Sequence, residues 1–345
     1  MSNTEQRPAE TICRNSDRGS GVGSGIEILE PRDVPLGGLR AMPVRRTLPQ
    51  RARSLIGAWC FLDHYGPDDV AATGGMNVPA HPHIGLQTAS WLFSGEIEHR
   101  DSAGFHAFVR PGELNLMTAG RGISHSERST PATTGLHGAQ LWIALPERAR
   151  SAPKTFEHYA PPQRRGEGWI AQVFLGSLLG EHSPVATHTP LVGAELSLEP
   201  GAELEITADP EFEHGVLLDT GELELSASPP AGAAADAPRE AAARLGPARL
   251  AYLPPGAGTI RLRAGGTGAR LLLIGGEPLG ERIVMWWNFI GRSHDDIARA
   301  RADWQAQLAA AGVGDVAPAG RPEQAADAEA GRFGLPDDEP EPPLP

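Results

Sequence analysis

The chain has 345 residues, 40% of them hydrophobic, with 42 glycines and 32 prolines, which suits two ordinary domains or one large one rich in turns. The formal net charge is −13, with eight acids and two bases in residues 311–345, and the absence of a lysine/arginine cluster argues against direct binding to nucleic acid. Two cysteines, Cys13 and Cys60, with no CxxC pair exclude a disulfide framework and a zinc ribbon, and no apolar run reaches the roughly 20 residues of a membrane-spanning helix.

In chain order, residues 1–25 are polar and Gly/Ser-rich. They bury too little apolar surface to order themselves, and they lack an apolar signal core, so a flexible leader and a cytoplasmic location are expected. Short apolar segments follow at 26–29 and 55–61, then strand-sized runs at 86–93, 95–99, 106–109, 114–117 and 139–145. Gly, Pro and Asp bound each run, and SGE at 94–96 and PGE at 111–113 read as tight turns between antiparallel strands. This grammar predicts a small barrel or jelly roll. A second β-rich stretch spans about 168–274, interrupted by SPPAGAAADAPREAAARLG at 228–246, which reads as an exposed loop insertion. The halves are similar in size and turn grammar, as an internal duplication would leave them. The clearest helix is 293–311: Ser293 can cap it, Asp295 and Asp296 suit its first turn, Ile297, Ala300, Trp304 and Leu308 share one face, and Gly312 can end it. The Ala-, Pro- and acid-rich tail beyond is expected to be loosely held.

Two short motifs carry chemistry. HPH places His81 and His83 one residue apart, and HSE does the same for His125 and Glu127. In a strand, alternate side chains share a face, so each pair can point into a barrel. Either pair alone is more simply a set of solvated side chains beside a turn. Together, separated by strands and Gly/Pro turns, they can converge if the strands meander back. Three neutral imidazoles and one carboxylate suit Fe, Ni, Cu, Mn, Co or Zn; Mg and Ca want oxygen cages. Asp63 and His64 could reach the site or stabilise a turn. His99 and Asp101 read as surface or structural residues, His106 as a residue without special role, and Trp286 and Trp287 as packing. Gly120 and Gly122 let the backbone turn before the second pair.

The segments GGMNVPAHPHIGLQTASWLFSGEIEHRDS and RPGELNLMTAGRGISHSE strongly resemble the pirin family, bicupins of the cupin superfamily. The similarity extends through FLDHYGP, LWIALP and LLLIGGEPLGERIVMWWNFI, covering residues 26–310 or so. The resemblance implies an all-β chain of two cupin (jelly-roll/β-barrel) domains with a C-terminal helix: a leader at 1–25, a metal-bearing N-terminal cupin at 26–150, a metal-free C-terminal cupin at 151–290, the helix at 291–311 and an acidic tail at 312–345. His188 and His214 in the second cupin are then ordinary lone histidines. One metal, Fe(II) foremost with Ni, Co, Cu, Mn or Zn as alternatives, would be held by His81, His83, His125 and Glu127. The implied activity is that of a quercetin 2,3-dioxygenase, an oxidoreductase opening a flavonol-like enol with O2, with Glu127 as the catalytic base; another enol or diketone of similar shape is an alternative substrate. The alternative function is an iron-binding regulatory module that docks a protein partner, for which the acidic surface suits a basic one. The monomer is the default. The chain departs from the family where Ile84-Gly85-Leu86-Gln87 replaces the usual Arg-Gly-Phe-Glu, which removes a positive and a negative charge beside the ligands.

Overall fold

Short runs of alternating burial, each closed by a glycine or proline turn, dictate a structure of strands. The computed structural model describes residues 9–15, 25–36, 42–232, 241–313 and 332–344. Among these, helix is confined to Val70–Thr73, a 3-10 turn at Glu147–Ala149 and the long His294–Ala310, and no helix is long and apolar enough to cross a membrane. The all-β expectation holds.

The first half is built from two antiparallel sheets. A seven-stranded sheet runs in the order Thr155–Tyr159, Leu114–Thr118, Leu86–Ser94, Gly135–Ala144, Trp59–Asp69, Met42–Leu48, Arg32–Leu36. Facing it, a four-stranded sheet runs Asn77–His83, Ile123–Ser129, Ile97–Asp101, His106–Val109. The SGE and PGE turns are present, with Gly95 at φ +89° and Gly112 at φ +73°. They do not join paired strands, however: each carries the chain from one sheet to the other, which is how a jelly roll closes.

The second half is one nine-stranded sheet curled on itself. Its two longest strands, Glu213–Ser228 and Thr259–Gly276, pair along their whole length and bend at register shifts near Leu218/Thr220 and Gly221/Leu223. Such bulges let one strand serve both faces of a barrel. Residues 233–240 of the expected loop insertion lie outside the described residues. Its end, Ala241–Leu245, is an edge strand on Glu213–Ser228 with Leu245 buried, so this part belongs to the sheet.

The halves exchange strands. Glu27–Leu29 pairs with Leu250–Leu253 of the second sheet, whereas Thr155–Tyr159 pairs with Leu114–Thr118 of the first. One apolar cluster spans both halves, joining Trp59, Leu86, Leu141 and Trp142 to Leu217, Leu250, Leu272 and Ile274. The indole N–H of Trp59 donates to the Gly275 carbonyl at 3.0 Å. Fixed packing of this kind holds the second half against the first.

The helix forms as its sequence requires. Ser293 and Asp296 make a reciprocal capping box, and Ile297, Ala300, Trp304 and Leu308 are buried. Two flanking segments differ from expectation. Within the leader, Thr11–Cys13 pairs with Ile283–Trp286, and Cys13 is buried; residues 1–8 and 16–24 lie outside the described set. In the tail, 332–344 docks firmly. Phe333 is fully buried between Phe289 and Trp304, Leu344 N–H donates to Ala80 O at 2.8 Å, and Arg128 pairs with Glu339. One buried aromatic and a few directed hydrogen bonds outweigh the polar composition around them. Residues 314–331 and 345 lie outside the description.

Candidate metal centre

The HPH and HSE strands are direct neighbours. In antiparallel register His125 faces His81, and Ile123 faces His83. The third strand of this sheet places Asp101 opposite His125 and His99 opposite Glu127. Alternation then sends His81, His83, His125, Glu127, His99 and Asp101 inward, and all six are buried. Gly85 permits the turn after the first pair. It stands at φ +70°, and a Cβ there would lie 2.3 Å from the Ile290 carbonyl oxygen. Gly120, at φ +53°, has the same need before the second pair, since its Cβ would strike the Ala152 carbonyl.

Hydrogen bonds orient the rings. His81 Nδ1 donates to Pro79 O at 2.9 Å and His83 Nδ1 donates to Asn288 O at 3.0 Å. These carbonyls assign the tautomers and leave the lone pair on each Nε2. His81 Nε2 is buried without a partner. His83 Nε2 stands 3.0 Å from His125 Nε2. Burial, reinforced by neighbouring imidazoles, holds His81, His83 and His125 well below the usual histidine range. All three are therefore neutral, the form that ligates metals. Ring nitrogens of the three converge within 4.8 Å of one another, and a cation between them would take their lone pairs as ligands. The donor set fits a transition metal.

Among the described residues, ligand-capable atoms form two groups in this barrel, each mutually within 4.8 Å: His81/His83/His125 and His99/His125/Glu127. The structure gathers His81, His83 and His125 in one group, whereas Glu127 is grouped with His125 and His99. Glu127 Oε1 lies 3.3 Å from Ser90 Oγ, which also lies 2.9 Å from Gln140 Oε1. Burial and the Glu127 charge push the Tyr65 phenol far up, and its hydroxyl is buried without a partner. It is a neutral donor in the barrel. Gln87 is buried and donates to Thr118 Oγ1 at 3.0 Å.

His99 and Asp101 are not surface residues. Both are buried, and both flank the ligand cluster. Their EHRD spacing repeats the alternation of HPH and HSE, the one signal that could have found them. Asp63 turns away to a two-point pair with Arg46, at 2.7 and 3.0 Å. His106 is exposed and meets Glu98.

A second buried cluster joins His64 and His137 to Asp219 of the other half, at 2.8 and 2.6 Å from Asp219 Oδ1. It does not read as a metal site. Arg45 approaches His64 Nδ1 at 3.2 Å and Arg270 approaches His137 Nδ1 at 3.4 Å. A guanidinium only donates, so each ring accepts at Nδ1 and carries its proton on Nε2, aimed at Asp219. Arg270 also donates to Asp219 Oδ2 at 2.6 Å. Burial alone would raise the Asp219 carboxyl; the His137 and His64 hydrogen bonds and Arg270 hold it well below the usual range. The cluster is a satisfied polar fastening between the halves.

Comparison with known proteins identifies the family. The chain matches the family model described as Pirin over residues 41–143 and that of the Pirin C-terminal cupin domain over residues 193–309. It is 41% identical over 307 residues to a Pseudomonas aeruginosa protein named "Putative quercetin 2,3-dioxygenase", covering 88% of this chain and 91% of that one. A pirin-like protein from Caulobacter vibrioides is 36% identical over 274 residues, 76% and 88% of the two chains. The crystal structure of a quercetin 2,3-dioxygenase from Acinetobacter baumannii aligns with a TM-score of 0.76 at 36% identity, over 93% and 94% of the chains. The bacterial pirin YhhW from Escherichia coli, solved in complex with nickel(II), shares the fold at a TM-score of 0.54 and 17% identity, over 73% and 99%.

Proposed function

Since the chain belongs to the pirin family, we propose that His81, His83, His125 and Glu127 hold one transition metal ion and that the site opens a flavonol-like enol with O2. The observation that carries this reading is the meeting of three neutral imidazoles around a shared space, two Nε2 atoms 3.0 Å apart and the third unpartnered. Iron(II) is the ion we assign; nickel, cobalt, copper, manganese and zinc suit the same donors. The ion, when bound, supplies Lewis acidity and electron transfer for O2 chemistry.

The chain's own residues do the rest. His81 and His83 are each locked by a backbone carbonyl, of Pro79 and Asn288, so they keep their geometry as substrate enters. Glu127 accepts the proton of the enolic hydroxyl, and the Ser90 hydroxyl beside it steadies the carboxylate. Tyr65 offers a neutral hydroxyl to a substrate oxygen. Burial of these side chains keeps water from the charge that develops. The reaction is proposed to run in the cytoplasm, in a monomer.

One observation favours a second reading. The ligands are sealed, His81 and His83 at 0% exposure and Glu127 at 5%. A metal so enclosed also suits a protein whose partner senses the metal's state. Oxygen uptake by metal-loaded protein on quercetin, wild type against Glu127→Gln, decides between them. Uptake that falls with the substitution while metal is retained supports the enzyme. Full metal occupancy without uptake, together with one stoichiometric protein partner, supports the sensor.

A further inference from the structure

The His125 ring has a neighbour on each nitrogen. Its Nε2 faces His83, and its Nδ1 lies 3.4 Å from His99 Nδ1. His99 Nε2 in turn lies 3.3 Å from Asp101 Oδ2. Asp101 Oδ1 accepts the backbone N–H groups of Ala103 at 2.8 Å and Phe105 at 3.2 Å. With a cation at the His125 Nε2, one arrangement of protons uses every donor and acceptor in this row. His125 presents its Nε2 lone pair to the ion and donates Nδ1–H to His99 Nδ1; His99 donates Nε2–H to Asp101; two backbone amides fix Asp101.

We propose that His99 and Asp101 are positioning residues for metal binding, a two-member relay that fixes the tautomer and orientation of the ligand His125. The inference rests on the metal-site reading above and extends it to residues that reading leaves without a role. His81 and His83 are each steadied by one backbone carbonyl, so His125 is the histidine whose orientation depends on side chains. Metal-bound histidines commonly hand their other N–H to a carbonyl or carboxylate, and removing such a partner weakens metal binding. In this chain an imidazole bridges the gap between His125 and the carboxylate. His99 itself is not a ligand in this arrangement, because both its nitrogens are engaged away from the space shared by His81, His83 and His125.

The test is a cobalt(II) titration of the full chain in competition with a chromophoric chelator. His99→Leu and Asp101→Asn should each weaken cobalt(II) binding by about 10–100-fold. His99→Gln, whose side-chain oxygen still accepts from His125, should recover most of the loss. Because the two residues act in series, the double variant His99→Leu/Asp101→Asn should lose no more than the larger single loss. The visible absorption of bound cobalt(II) should also move in Asp101→Asn, a change that a defect in packing remote from His125 would not produce. Should His99→Leu fail to fold, the Asp101→Asn and His99→Gln pair carries the same comparison. Unchanged affinity and an unmoved spectrum in Asp101→Asn overturn the relay and leave the three-imidazole site standing. Abolition of binding in His99→Gln, as complete as in His83→Ala, makes His99 a ligand and overturns the relay as well. Failure of the wild-type chain to bind cobalt(II) overturns the site itself.

Discussion

His83 and His125 stand 42 residues apart in the chain and 3.0 Å apart at their Nε2 atoms. Asn288, from the segment that follows the second barrel, accepts the other N–H of His83. The site is therefore finished by the far end of the chain, and metal binding is coupled to how the two halves sit together.

Removing metal should lower stability. An ion that binds the folded chain alone stabilises it by about 2.7 kcal/mol at a hundred times its dissociation constant. Thermal unfolding with and without a strong chelator should show a lower midpoint when the ion is stripped. In His83→Ala the chelator should have no effect, and a preserved shift in that variant would place the stabilising ion elsewhere.

Glu127→Gln should cut turnover on an enolic substrate by roughly 10²–10⁴-fold, the usual worth of a positioned base. The amide keeps the shape of the carboxylate, so the unfolding midpoint of the variant, compared with wild type after metal is stripped from both, should stay close to it. Steady-state oxygen consumption at matched metal content measures this.

Buried histidines should make the apo protein acid-sensitive. Burial lowers His214 to about 4 from the usual 6.5. Between those values the unfolded chain takes up a proton that the folded chain refuses, so stability falls as pH drops from 6.5 towards 4 and levels below. Each pH unit in that window costs about 1.4 kcal/mol per such group. His214→Gln should therefore lose roughly 2–3 kcal/mol less than wild type between pH 7 and 4.5 in denaturant unfolding. An identical loss in both would show that His214 is charged in the folded state.

The docked tail should matter to stability. Phe333→Ala removes a fully buried ring held between Phe289 and Trp304, and should cost about 3–5 kcal/mol. Asp337→Ala, on the exposed side of the same segment, should stay within about 0.5 kcal/mol. Chemical unfolding of the two variants checks the contrast.

What could be read from the chain follows the range of the forces involved. His81/His83 and His125/Glu127 were legible because alternation in a strand is local, and the Ile297–Leu308 stripe because helical periodicity is local too. The exchange of Glu27–Leu29 and Thr155–Tyr159 between sheets was not, since strand pairing is set by partners far away in the chain. His99 and Asp101 carried the right spacing, but burial and a facing His125 give them meaning, and both are tertiary facts. His64 and Asp219 fasten the halves across 155 residues, with no local pattern to announce it. Phe333 lay hidden in a segment whose average composition is that of a loose tail.

The most direct measurement is the metal content of the full chain after loading with iron(II) or cobalt(II) and removal of excess ion, read by elemental analysis for wild type and His83→Ala. Close to one equivalent per wild-type chain is expected, and almost none in the variant. A wild-type chain that retains no ion, or a variant that retains a full equivalent, would contradict the metal site.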